Sequence, residues 1–396
     1  MTRPKAHHLP EADAMNPFLG RFSSSATGDL TAIGRKGTSF CSVPLAELHA
    51  RGCGQAATGR SARLGGNFRP ARGASWPLGR PPNGSPWFQA MPCAGGCPRE
   101  GVLVAAAACG IAAVGIRWVA VKLQNALLYH PRPIHGNPTY EALLAQATQH
   151  LQRYGYTVEA LNYTSKGQQT ALLVRPEPQR PSPLWLVFGG NAMVSVDWLP
   201  FCDRVLSSKD GSVGKPSLLL VDYPGYGDNS GEPSPGSVLE ASKRALERVL
   251  EHLPAPPESV NLFGHSLGAA AAAQLAVELL RSDRPPGRLL LSSPFLSLED
   301  MASVLLGGPR WLLRGLITHH WDNAKAVPAA AAGGWQVFIV HPKRDEIVPV
   351  AQGQELQKFV EKQGKSCQLV QPEGCGHNDV LFAALGTYAA LLGSRL

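Results

Sequence analysis

The stretch Ser259–Leu280, "SVNLFGHSLGAAAAAQLAVELL", decides how the rest of the chain is read. It begins as a short apolar run and breaks at Gly264-His265-Ser266-Leu267-Gly268. It continues as an alanine-rich segment of high helical propensity. Gly-x-Ser-x-Gly between a strand and a helix predicts a tight turn that lifts the serine out of the chain. The helix that follows places positive potential where an oxyanion would form. The plain alternative is a small-residue strand–helix junction with no reactivity. What separates the two readings is whether the other groups a reactive serine needs stand at other strand ends.

Five further runs frame the answer. "PLWLVFGG", "PSLLLVDY", "GRLLLSSP", "WQVFIVHP" and "SCQLVQPE" are continuously apolar and bounded by Pro, Gly or Ser. Such runs suit parallel strands buried on both faces. "TVEALNY" and "QTALLVRP" read as a hairpin of partly exposed strands. Amphipathic stretches such as "SVLEASKRALERVLEHL" lie between the runs. The alternation predicts an α/β fold: a mostly parallel sheet of about eight strands, flanked by helices joined through right-handed crossovers.

In an open α/β sheet, chemistry gathers beyond the carboxyl ends of the strands. A serine needs a base, and His377 follows the last apolar run in "PEGCGHNDV". The base needs a carboxylate to hold its tautomer, and Asp345 follows "WQVFIVHPKR". Glu346 is the fallback; Asp222 is a rival that precedes the serine and reads more simply as a turn cap. Ser266, Asp345 and His377 run in the order Ser…Asp…His. The oxyanion calls for two N–H donors, assigned to Leu267 and Asn191, with Gly190 as second choice in Gly189-Gly190-Asn191-Ala192. This chemistry needs neither a metal nor an organic cofactor.

These pieces together resemble the α/β-hydrolase superfamily over roughly residues 125–394. Within it they resemble a group of membrane-anchored serine hydrolases that includes protein depalmitoylases. The resemblance is carried by "LLYHP" (127–131), "GGNA" (189–192), "LLLVDYPGYGDNSGEPS" (218–234), "LFGHSLGAA" (262–270), "RDEIVP" (344–349) and "GHNDV" (376–380). It implies Ser266 as nucleophile, Asp345 as acid, His377 as base, and Asn191 and Leu267 as oxyanion donors. It further implies hydrolysis of an ester or thioester, on a small lipid-like molecule or an acylated protein. That group commonly carries His-Gly where this chain has Gly189-Gly190. A peptidase of the same fold and a non-catalytic scaffold are the competing functions.

The segment Ser297–Ala326, "SLEDMASVLLGGPRWLLRGLITHHWDNAKA", falls where this superfamily often carries a lid. Trp311, Leu312, Leu313, Leu316 and Trp321 are candidates to line an acyl groove there, or simply to pack a lid helix.

Charge and composition bound the rest. The net charge of the 396 residues is +8. Residues 1–100 hold 12 Lys+Arg against 5 Asp+Glu, and the remainder holds 25 against 24. The basic excess therefore belongs to the leader, and a near-neutral main domain offers no footprint for nucleic acid. Residues 1–100, rich in Gly, Ser, Arg and Pro, read as a disordered basic leader or a transit peptide, with Met91 as an alternative start. Residues 101–124 read as a membrane anchor helix, spanning or interfacial, ahead of a hydrolase domain over 125–396. Cys93, Cys97 and Cys109 are candidates for S-acylation beside it. The eight cysteines form no evident disulfide framework or zinc pattern. The terminal Ser394-Arg395-Leu396 is close to a peroxisomal address, which competes with a membrane location.

Overall fold

A computed structural model of the chain describes residues 99–178, 180–207 and 215–393. The leader, Cys93, Cys97 and the terminal Ser-Arg-Leu lie outside the described residues.

The chain enters through helix α1 (Arg99–Leu128) and helix α2 (Pro138–Arg153). An antiparallel hairpin follows, β1 (Tyr156–Thr164) and β2 (Gln168–Pro176). Strand and helix then alternate: β3 (Leu184–Phe188), α3 (Leu199–Leu206), β4 (Ser217–Val221), α4 (Pro235–His252), β5 (Val260–His265) and α5 (Leu267–Leu279). After β6 (Arg288–Ser292) come α6 (Leu298–Leu306), α7 (Arg310–Leu316) and α8 (Asn323–Ala332). The chain closes with β7 (Gln336–Val340), α9 (Val350–Glu361), β8 (Cys367–Val370), α10 (Val380–Ala383) and α11 (Leu385–Gly393).

The eight strands form one sheet in the order β1-β2-β4-β3-β5-β6-β7-β8. Pairing is antiparallel from β1 through β2 to β4, and parallel from there on. The mostly parallel eight-stranded expectation is met. The burial patterns give the reason. Every residue of β3, β4 and β6 is buried, so each reads as an unbroken apolar run, whereas β1 alternates between buried and exposed positions.

Helix α5 is the innermost helix. Nine of its thirteen residues are buried, five of them the alanines at 269–273. Small side chains let its backbone lie close to β3, β5 and β6. Its N-terminus therefore sits at the centre of the sheet, where β3 and β5 run side by side.

The lid region is a separate excursion. Ser297 and Asp322 form an isolated antiparallel bridge, Leu298 donates its N–H to Trp321 O (3.1 Å), and Ala324 donates to Leu296 O (2.9 Å). These bonds pinch the chain into a neck, and α6 and α7 stand beyond it as a helix–Gly307-Gly308–helix hairpin. The excursion ends earlier than the 297–326 read from sequence, because Asp322 caps α8 by accepting the Lys325 N–H (3.0 Å).

Helix α1 forms where the anchor was expected. Among the described residues, however, no helix is long and apolar enough to cross a membrane. The transmembrane reading is corrected accordingly.

Candidate active site

The elbow is built from backbone collisions that only glycine avoids. A Cβ on Gly264 would lie 2.0 Å from Gly268 O, and one on Gly268 would lie 2.2 Å from Phe188 O. With both positions bare, β5 turns directly into α5, and Ser266 between them takes φ 55° and ψ −116°. This is a strained backbone for a residue with a side chain. Two bonds secure it: Ser266 N–H donates to Ser292 O (2.8 Å), and Ala269 N–H donates to Ser266 O (3.0 Å). The serine is half-buried while its neighbour His265 points under the turn. There the His265 ring meets the Ser292 hydroxyl (3.1 Å), which contacts the Tyr388 hydroxyl (2.7 Å). Burial, reinforced by the nearby His377, pushes His265 down to a pKa of about 3, so its ring is neutral.

Beyond β7 and β8 the two loops meet. His377 Nδ1 lies 2.8 Å and 2.9 Å from the two oxygens of Asp345. The Asp345 carboxylate also accepts the N–H groups of Ile347 (3.0 Å) and Val348 (2.7 Å), and the buried His341 Nε2 lies 3.4 Å away. Burial alone would raise the pKa of this side chain. The hydrogen bond and charge of His377, with the Val348 N–H, hold it below the ordinary carboxylate value instead. With Nδ1 facing Asp345, the other ring nitrogen of His377 is the one left to act as a base. The rings of His377 and His265 lie 5.1 Å apart, which brings His377 to the elbow. Among the described residues Ser266 Oγ makes no hydrogen bond to His377; such contacts are often long without substrate and tighten when it binds.

Adjacent acids in "RDEIVP" are sorted by geometry. Glu346 does not reach the imidazole ring; its carboxylate accepts the His377 backbone N–H (3.0 Å) and lies against Gly376. Glu346 thus holds the histidine loop while Asp345 holds the ring. Asp222, the rival, is buried and accepts both the N–H and the hydroxyl of Ser195 (2.6 Å each). Burial raises its pKa to about 7. No histidine is hydrogen-bonded to Asp222 or to Ser195 among the described residues, and the pair caps the 3-10 turn Ser195–Trp198.

The loop after β3 shows what Gly189 does. A Cβ at this position would lie 2.7 Å from Met193 Cβ, so the glycine admits a tight return of the chain. The loop is firmly held. Gly189 O accepts from Tyr223 Oη (2.6 Å), and Gly190 O accepts from Met193 N–H (3.2 Å). Asn191 O accepts from Tyr226 Oη (2.5 Å) and His130 N–H (3.0 Å), and Ala192 O accepts from Arg132. Because a trans peptide points its N–H opposite its C=O, fixing the Gly190 carbonyl also fixes the direction of the Asn191 N–H. Among the described residues, the N–H groups of Asn191 and Leu267 make no hydrogen bond within the protein. Gly190 is close by, with its Cβ direction 3.6 Å from Ser266 Cβ.

Sequence reasoning missed the supports of this loop. Tyr226 also accepts the His130 N–H (2.9 Å), so "LLYHP" and "DYPGYG" are two ends of one brace. The available signal was a pair of tyrosines set among turn residues directly after an apolar run.

The two tryptophans read as lid residues do not share a groove. Trp321 is 0% exposed and donates its indole N–H to Tyr129 Oη (3.0 Å), so it packs the core. Trp311 is 76% exposed and faces outward. Leu313 is half-buried, and the side chains of Leu312 and Leu316 lie outside the described ones. A surface depression lined by Thr164, Ser165, Lys166, Gly236, Glu240 and Arg244 includes none of the site residues. Among the described residues no group of three or more His, Cys, Asp or Glu is arranged to hold a metal ion.

Known proteins are similar to parts of this chain. An uncharacterized protein of Mycobacterium tuberculosis is 35% identical over 164 residues, covering 41% of this chain and 53% of that protein. Protein bem46 of Schizosaccharomyces pombe is 26% identical over 181 residues, covering 46% and 57%. The lysophosphatidylserine lipase ABHD12 of Danio rerio is 26% identical over 147 residues, covering 35% and 38%. The chain thus spans about half the length of the first of these relatives. An esterase of Pyrococcus furiosus has a similar structure, with a TM-score of 0.50 at 13% identity over 67% of this chain and 96% of that one. The profile of the alpha/beta hydrolase family matches residues 189–391, just over half of the sequence and the whole span from the Gly189 loop past His377. The chain belongs to the alpha/beta hydrolase family.

Proposed function

We propose that this protein is a serine hydrolase that cleaves carboxylic esters or thioesters of lipid-like acyl groups through an acyl-enzyme. Ser266 is the nucleophile, His377 the base, Asp345 the group that orients the imidazole and stabilises its positive charge, and the N–H groups of Asn191 and Leu267 the oxyanion donors. His377 takes the hydroxyl proton as Ser266 Oγ bonds to the substrate carbonyl carbon. The carbonyl oxygen gains the electron pair and is held by the two N–H groups. When the tetrahedral intermediate collapses, the alcohol or thiol leaves with the proton from His377. Water then repeats the sequence on the acyl-serine, releases the acid and restores Ser266. Asp345 remains ionised throughout, supporting the imidazolium.

One observation carries the reading: a histidine bonded to a buried carboxylate lies 5.1 Å, ring to ring, from the residue that precedes a serine held at positive φ on a helix N-terminus. The substrate class rests on the names of the lipase and esterase relatives. Association with a membrane surface fits such substrates. The test is labelling with a fluorophosphonate probe. Wild-type protein labels and Ser266→Ala does not; retained labelling of the variant would overturn the assignment. A panel of acyl esters, thioesters and peptides, run on the same protein, then separates esterase, thioesterase and peptidase. A folded wild-type protein that does not label supports the scaffold instead.

A further inference from the structure

The two oxygens of Asp345 are held unequally. Its Oδ1 accepts the N–H groups of Ile347 and Val348 and also faces His377. Its Oδ2 has no backbone donor among the described residues. It faces His377 Nδ1 at 2.8 Å and, at 3.4 Å, the Nε2 of a second histidine, His341. His341 stands just past the carboxyl end of β7, where its backbone N–H donates to Val370 O (2.9 Å), and its side chain is 0% exposed. Its Nε2 lies 2.9 Å from Val348 O. A carbonyl oxygen only accepts, so Nε2 carries the proton and Nδ1 is bare. Nδ1 makes no hydrogen bond among the described residues, and it lies against α9 at Gly353, where a Cβ would be 2.5 Å from it. A second proton on the ring would find no acceptor there. Burial also pushes the pKa of His341 down, so the ring is neutral and donates one N–H.

We infer that His341 is a positioning residue for the proposed reaction: its single Nε2–H pins the Val348 carbonyl and faces Asp345 Oδ2, which keeps the carboxylate in line with the His377 ring. Both contacts act on one turn. Holding Val348 O steadies the residue whose own N–H binds Oδ1. Facing Oδ2 brings a polar hydrogen to the oxygen that the turn leaves uncovered. Three features favour this role over plain filling of the core. First, a leucine would fill the space without burying a ring nitrogen that has no partner, which is costly. Second, α9 gives up a side chain at Gly353 to admit the ring. Third, the ring is a neutral donor. A cation at this place would offset the negative charge that the His377 imidazolium needs from Asp345, whereas a neutral N–H steadies the carboxylate and leaves its charge in place. His341 thus acts through Asp345, and the inference rests on the proposed roles of Ser266, Asp345 and His377.

The experiment compares His341→Leu with His341→Gln in the full chain. The first fills the space without a donor; the second keeps an N–H on a side chain of similar reach. With 4-nitrophenyl butanoate as substrate, His341→Leu should lower kcat roughly 10–100-fold with KM little changed, because a misaligned pair weakens the transition state alone. His341→Gln should recover most of that loss. Proton NMR reads the pair without turnover. The downfield resonance of the His377 Nδ1–H, identified by its loss in His377→Ala, should move or broaden in His341→Leu and persist in His341→Gln. A residue that only filled the core would leave it in place. Gly353→Ala is a second route, since its methyl group displaces the ring while every titratable group is retained; kcat should fall here too. Circular dichroism melts confirm that each variant is folded. The fluorophosphonate probe should still label Ser266 in the His341 and Gly353 variants, only more slowly. A folded His341→Leu with wild-type kcat and an unmoved resonance would overturn this inference alone, as would a His341→Gln as impaired as His341→Leu. Should His341→Leu not fold, wild-type kcat in folded Gly353→Ala overturns it. A wild type that does not label would overturn the catalytic reading with it.

Discussion

The elbow after β5 and the hairpin beyond β6 are built from similar material, glycines and small or aliphatic residues, yet they are opposites. At the elbow the N–H and C=O of Ser266 are both bonded, and a methyl group added at Gly264 or Gly268 would strike main-chain oxygen. At the α6–α7 tip, a Cβ added to Gly307 or Gly308 would meet no atom within 4 Å, and leucines point into open space. The first region uses its glycines for close approach, the second for a change of direction (φ 68° and 97°). Composition does not distinguish a site that must be rigid from a surface that must be free; the neighbours do.

The largest expected effect is chemical and belongs to the rigid region. Asp345→Asn should leave the fold in place and lower kcat by about four orders of magnitude, as expected when an imidazole loses its orienting carboxylate. Steady-state hydrolysis of a short acyl ester measures it. Next comes the contrast between glycines. Gly268→Ala should destabilise by roughly 3–5 kcal/mol, because its new methyl group meets the Phe188 carbonyl. Gly307→Ala should destabilise by only about 1 kcal/mol, the strain of positive φ in open space. Paired urea titrations compare them, and equal losses would erase the difference between the two regions.

Smaller effects test its finer parts. Tyr226→Phe removes one of two donors on the Asn191 carbonyl, at about 0.5–1.5 kcal/mol of stability. If the brace positions the oxyanion donor, kcat should fall about tenfold with KM unchanged, since the donor acts on the transition state. Asp345 also predicts an acid limb. Its pKa is lowered in the folded chain, so its contribution to stability is complete above the unfolded value and is lost as pH falls through the folded one. Melting temperatures below about pH 4 should therefore decline less steeply in Asp345→Asn than in wild type. Smallest of all, Leu305→Glu should change stability by no more than about 0.5 kcal/mol, because the side chain is already in solvent.

The strand ends were legible in the sequence because a strand buried on both faces is written as an unbroken apolar run. Ser266 follows such a run in β5, whereas Asp345 and His377 follow β7 and the edge strand β8, which keep exposed or half-buried positions, and the structure brings Asp345 and His377 into contact. Pairwise contacts across long separations were not legible. Trp321 reads as a groove residue until Tyr129 is found bonded to it, 192 positions earlier in the chain. Tyr223 and Tyr226 read as turn residues until their hydroxyls are seen on the Gly189 loop. Glu346 and Asp345 are chemically interchangeable in sequence, and only the direction of a turn assigns one to a ring and the other to a backbone.

The neck between Ser297 and Asp322 bears on how such a protein can change. With the two ends already pinned, the free energy of closing the segment between them grows only with the logarithm of its length. Residues can be added to or removed from the hairpin at small cost, while the strained serine, anchored to the sheet on the other side of the pinch, does not register the difference. The excursion is a replaceable module, and the specificity or surface it carries can drift while the chemistry beneath it is held in place by geometry.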